Sequence, residues 1–127
     1  MNPRPADEHQ NSGRILVVED EWLIADGIAQ DLEAAGYAIA GPVASVTRAL
    51  QLIREEPVDA ALLDVNLNGE KSFAVADELV TRGIPFAFST GFSRTVIPPK
   101  HCDRPMLGKP VGPEQLLAAI AKLLAEP

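Results

Sequence analysis

The chain has 127 residues, 46% of them hydrophobic, which is enough length and apolar material for one compact domain without metal or disulfide staples. Eleven basic against eighteen acidic side chains leave a formal charge of −7, so direct contact with nucleic acid or an anionic membrane is not expected. A single cysteine, Cys102, rules out an internal disulfide. No apolar run nears the roughly 20 residues that cross a bilayer, and no signal peptide is visible, so a soluble cytoplasmic protein is expected.

Residues 1–12 are polar, carry Pro3 and Pro5, and show no apolar periodicity; they read as a flexible tail before a single domain over 13–127. Ile15-Leu16-Val17-Val18 is a short continuous apolar run, the pattern of a strand buried on both faces, and it stops at Glu19-Asp20-Glu21. Ile24, Ile28, Leu32 and Ala35 then recur at helical spacing, with Gly36 as a C-terminal cap. Tyr37 to Ala44 reads as a second strand, and Pro42 within it assigns that strand to a sheet edge. Ser45 caps a helix bearing Val46, Ala49, Leu50 and Ile53, which Pro57 ends. Val58 to Leu63 is a third strand running into Asp64. Lys71 to Thr81 places Phe73, Ala76, Leu79 and Val80 on one side of a helix closed by Gly83.

Ile84 to Ser89 is a fourth strand, Met106-Leu107 lies in a short fifth, and Gly112-Pro113 opens a last helix with Leu116, Leu117, Ile120, Leu123 and Leu124. Between Phe92 and Arg104 the pair Pro98-Pro99 and few apolar residues limit any fourth helix to one or two turns, or to a loop. Five β-α alternations define an α/β fold with a doubly wound five-stranded parallel sheet, whose ligands bind beyond the carboxyl ends of the strands.

Four positions close or follow four of those strands: Glu19-Asp20, Asp64, Thr90 and Lys109. Taken singly each has an ordinary role. Asp20 reads equally as a helix cap, Asp64 and Asn66 as turn residues, Thr90-Gly91 as turn chemistry and Lys109-Pro110 as a solvated loop. Together they argue for a site. Three converging carboxylates stay ionised only around a cation, and few carboxylates in a small site suit Mg2+. Lys109 and Thr90 then complete a cradle for a tetrahedral anion beside a carboxylate able to attack phosphorus.

Val17-Val18-Glu19-Asp20-Glu21, Leu62-Leu63-Asp64-Val65-Asn66, Ser89-Thr90-Gly91 and Gly108-Lys109-Pro110 resemble the motifs of two-component response-regulator receiver domains, over nearly all of Arg14 to Ala125. The resemblance implies a flavodoxin-like strand order 2-1-3-4-5, a phosphoacceptor at Asp64, and Mg2+ bound by Asp20 directly, by Glu19 through water, by Asp64 and by the backbone carbonyl of Asn66. It implies that Thr90 and Lys109 hold phosphoryl oxygens, that the Lys109-Pro110 bond is cis, and that a histidine kinase is the partner. Pro85-Phe86-Ala87-Phe88-Ser89-Thr90-Gly91-Phe92 is similar to the Phe-Ala-Thr-Gly signature of atypical single-domain receivers from alphaproteobacteria.

Met106 departs from the family pattern, which has an aromatic residue three positions before the lysine. It reads as core filler, and Phe92 could stand in for the missing ring. Trp22 is compatible with core packing or with an exposed ring beside the acidic pair, and His9, His101 and Cys102 read as solvated residues, too few for a structural zinc site.

The expected function is that of a stand-alone receiver, monomeric or weakly dimeric, which catalyses only its own phosphorylation and dephosphorylation. It would signal to a downstream protein or drain phosphate from its kinase. The alternative is a small phosphatase or phosphotransferase of the haloacid dehalogenase type. That class carries its nucleophile after the first strand with a second aspartate two residues on, where this chain has Trp22. A flavodoxin-like nucleotide binder lacks the Gly-rich phosphate loop it would need.

Overall fold

The computed structural model describes residues 13–91 and 97–125. Strand β1 spans Arg14–Val18, helix α1 Trp22–Ala34, strand β2 Ala38–Val43, helix α2 Val46–Glu55 and strand β3 Ala60–Asp64. A small hairpin follows, β4 at Asn66–Leu67 and β5 at Glu70–Lys71, then helix α3 at Phe73–Thr81 and strand β6 at Phe86–Thr90. A 3-10 turn at Pro99–His101, strand β7 at Met106–Gly108 and helix α4 at Pro113–Ala125 complete the described chain. The main sheet is parallel with order β2-β1-β3-β6-β7, the expected 2-1-3-4-5 when only its own strands are counted.

Alternation along the strands builds two cores. Leu16, Val18, Ala61, Leu63, Phe86 and Phe88 face α2 and α3, meeting Ala49, Ile53, Val75, Ala76 and Leu79. Ile15, Val17, Ala60, Leu62 and Ala87 face the other way, onto Ile28 and Leu32 of α1 and Leu116, Ile120 and Leu123 of α4. Burial on both faces is the reason β1 and β3 read as unbroken apolar runs rather than alternating ones.

Helix ends follow the local chemistry. Ser45 Oγ accepts the amide of Arg48 at 3.2 Å and so starts α2. Gly36, at φ +101, turns the chain out of α1 while its amide donates to the carbonyl of Glu33. Pro42 lies on the edge strand β2, as anticipated, and both Gly41-Pro42 and Lys109-Pro110 are cis.

Three local readings are corrected by tertiary structure. Helix α3 begins at Phe73 rather than Lys71, because Glu70–Lys71 pairs with Asn66–Leu67 instead. Leu67-Asn68-Gly69-Glu70 is the loop of that hairpin, with Asn68 at φ 54 and Gly69 at φ 88, the two positive values a tight primed turn requires. Met106 is no core filler: it pairs with Phe88 in the sheet but is 43% exposed on the edge strand.

His101 is not solvated: it is 2% exposed, its Nε2–H donates to Asp77 Oδ1 at 2.8 Å, and its ring meets Phe86 and Phe88 edge-on. Asp77 also pairs with Lys100 at 2.9 Å. The Lys100 ammonium first, and His101 second, hold the Asp77 carboxyl below its ordinary range. One helical turn, the lower end of the expectation, is therefore all the described part of the proline-rich segment forms, and it is pinned to α3 by a charge-assisted contact. The tail expected over Met1 to Ser12, and Phe92 as a substitute switch residue, lie outside the described residues.

Burial sets a graded prediction. Leu79→Ala, at a fully buried site, lowers the stability measured by urea denaturation by about 3 kcal/mol, whereas Leu23→Ala, at a site 69% exposed, changes it by less than about 0.5 kcal/mol.

Candidate functional site

The carboxyl ends of β1, β3, β6 and β7 meet at one edge of the sheet, and the residues at or just beyond them line a cleft. Its walls are Asp20, Glu21, Asp64, Asn66, Asn68, Gly69, Thr90, Gly91 and Lys109. Glu19, buried beneath, completes the constellation. One carboxylate oxygen from each of Glu19, Asp20 and Asp64 lies within 4.8 Å of the other two. All six residues singled out from the sequence, Glu19, Asp20, Asp64, Asn66, Thr90 and Lys109, are brought to this edge.

Lys109 holds the floor of the cleft together. Its Nζ donates to Asp64 Oδ2 at 2.9 Å and lies 2.8 Å from Glu19 Oε1 and 3.9 Å from Glu21 Oε1. The contact with Glu19 is a short ion pair on a buried carboxylate oxygen. Glu19 Oε2 accepts the amide of Glu21 at 3.0 Å. Burial, partly offset by Lys109 and that amide and reinforced by the nearby Asp64 charge, pushes the Glu19 carboxyl up to about 7. For Lys109 burial is the largest single influence and works against its charge. Its contacts with Glu19 and Asp64 outweigh that and leave its pKa above the ordinary lysine value.

Backbone groups fix the carboxylates and the strand ends. Asn68 N–H donates to Asp20 Oδ2 at 3.0 Å and Asn66 N–H to Asp64 Oδ1 at 3.3 Å. Lys109 N–H donates to the Thr90 carbonyl at 2.9 Å, which ties the end of β6 to the start of the loop after β7. Asn66 Oδ1 accepts Lys71 Nζ at 2.7 Å across the β4-β5 pair.

Sequence reasoning missed Glu21, Asn68 and Gly69 as parts of the wall. The signal for the last two was present, since Asn-Gly between short flanks is a strong tight-hairpin signature. Trp22 takes the exposed alternative, at 73%, one residue beyond Glu21.

Three oxygen-donor carboxylates suit a hard divalent cation that keeps part of its hydration. Among the described residues no helix is long and apolar enough to cross a membrane.

A parallel five-stranded sheet in this order, with an acidic cluster and a lysine at its carboxyl edge, is the architecture of a receiver. Residues 15–121 match the model of the response regulator receiver domain, and the chain belongs to that family. It is a module of two-component signalling, and the haloacid dehalogenase reading is left without support. The solution structure of SdrG from Sphingomonas melonis Fr1 is similar over 89% of this chain and 97% of its own, at 43% identity and a TM-score of 0.78. A BeF3-activated conformation of SdrG from Pseudomonas melonis Fr1 is similar over 88% of this chain and 96% of its own, at 42% identity and a TM-score of 0.76. The transcriptional regulatory protein PdtaR of Mycobacterium tuberculosis is 30% identical over 64% of this chain, which spans 40% of that protein's length.

The raised pKa of Glu19 yields a pH prediction for the metal-free protein. Folding raises it from 4.5 to about 7, so the folded state binds a proton that the unfolded chain releases. This contribution to stability is complete below about pH 4.5 and drains away as the pH rises through about 7. Denaturation curves recorded with a chelator should show that decline, and Glu19→Gln should flatten it; an unchanged slope in the variant would assign the decline to another group.

Proposed function

We propose that the chain accepts a phosphoryl group on Asp64 from a phosphohistidine of a histidine kinase, with Mg2+ in the acidic cluster. The observation that carries the proposal is the convergence of Asp64 with Glu19, Asp20 and Lys109 at the mouth of one cleft. The BeF3-activated form of SdrG supports it by likeness.

In this reading an oxygen of Asp64 bonds to phosphorus as the phosphorus–nitrogen bond of the donor breaks, and the leaving imidazole takes up a proton. Asp20 would hold the cation directly and Glu19 through water, and Asp64 and the Asn66 backbone carbonyl would supply further oxygens. A bound Mg2+ neutralises charge on the transferring oxygens. Lys109 exchanges its contact with Asp64 Oδ2 for one with a phosphoryl oxygen, and the Thr90 hydroxyl donates to another. The lysine thus faces a charged oxygen in both states, that of Asp64 before transfer and that of the phosphoryl group after it, with Glu19 beside it throughout.

The output is a contact with a downstream protein or the withdrawal of phosphate from the kinase. A short-lived acyl phosphate marks the second, and a partner that prefers the phosphorylated form marks the first. Beyond its own phosphorylation and dephosphorylation the chain turns over no substrate.

Incubation with acetyl phosphate and Mg2+ should add the mass of one phosphoryl group to the wild type, and a chelator should abolish the gain. Asp64→Asn should show none; a stable gain in that variant would place the acceptor elsewhere. Steady turnover of a phosphomonoester would revive the phosphatase alternative.

A further inference from the structure

Asn66 stands at the wall of the cleft, two residues from the acceptor, and the orientation of its side-chain amide is set by chemistry rather than left free. Lys71 Nζ can only donate, so the amide atom 2.7 Å from it must be the carbonyl oxygen Oδ1. The hairpin enforces the meeting. Asn66 and Lys71 face each other across β4 and β5, closed by the tight Asn68-Gly69 turn. Lys71 is exposed and makes no carboxylate pair within salt-bridge distance among the described residues, although carboxylates crowd the neighbouring cleft. Its one described side-chain partner is the amide.

We infer that Lys71 is a positioning residue that lengthens the life of the aspartyl-phosphate by turning the carbonyl of Asn66 toward itself. The inference rests on the proposed phosphorylation of Asp64 and adds to it a residue that governs how long the signal lasts. In hydrolysis a water oxygen bonds to phosphorus as the bond from phosphorus to the Asp64 oxygen breaks. The electron pair returns to the carboxylate, and the protons of the water pass to the departing phosphate and to solvent. An attacking water is oriented by a neighbour that accepts one of its protons in a hydrogen bond. The Asn66 amide has one such acceptor atom, Oδ1, and Lys71 takes one of its two lone pairs and fixes the direction in which it points. With Oδ1 turned to Lys71, the NH2 is held on the other side of the amide, and it can donate to a phosphoryl oxygen but gives a water nothing to donate into. Removing the lysine frees the amide to rotate and present its oxygen to water.

The test follows the decay of the phosphorylated protein by intact mass, after loading with acetyl phosphate and Mg2+ and removal of the donor, in wild type, Lys71→Met, Asn66→Ala and the double variant. Lys71→Met should shorten the lifetime on the order of three- to tenfold, the kinetic equivalent of one hydrogen bond. In the Asn66→Ala background the same substitution should change nothing, because the lysine acts through the amide. A lifetime in Lys71→Met that is unchanged or longer, or shortened equally in both backgrounds, overturns the inference. Failure of the wild type to take up any phosphoryl group would instead overturn the proposed function.

Discussion

The ammonium of Lys109 lies between two buried carboxylates, those of Glu19 and Asp64, and ties the ends of β1 and β3 to the loop after β7. Carboxylates this close repel one another, and in a partly buried cleft that repulsion is poorly screened. One ammonium against the three carboxylates of Glu19, Asp20 and Asp64 leaves an excess of two negative charges, which a divalent cation would balance. Without the cation the least hydrated carboxyl gives way, and Glu19 is driven toward neutrality. The cleft is thus under electrostatic tension that a cation and a transferable anion would relieve together. The two cores supply the rigid frame on which such tension can be held.

Much of this was readable in the residues themselves. β1 and β3 announce themselves by apolar runs because they are covered on both sides, and each run stops where charge begins, at Glu19 and after Leu63. A parallel sheet then directs those charges to one edge, so convergence follows from topology once the strands are assigned. What escaped was set by partners distant in the chain or by elements too short to show a period. His101 is buried because Asp77, 24 residues earlier, receives its Nε2–H and because Phe86 and Phe88 offer ring edges. Met106 is exposed because β7 forms the border of the sheet. β4 and β5 have two residues each, too few for alternation, and the Asn-Gly turn between them was their only signature.

The buried histidine also bears on the missing aromatic of the last strand. Phe73, Phe88, His101 and Phe86 form a chain of edge-on rings from α3 through β6 to the 3-10 turn, with the Arg104 guanidinium over the Phe86 ring at 4.6 Å. The final strand carries no aromatic residue, and the connection before it contributes one ring to this cluster. The turn is therefore fastened to the same strand whose end carries Thr90, although its backbone belongs to the weakest helical stretch of the sequence.

The two borders of the main sheet differ in construction but agree in effect. β2 carries a proline without an N–H, and its ladder with β1 slips out of register between Leu16 and Val18. β7 has only three residues. Neither margin offers a long row of free amides and carbonyls on which another polypeptide could template an added strand. A crowded solution of this protein should accordingly resist fibrous growth from its native state, and any accretion would have to begin from molecules already opened.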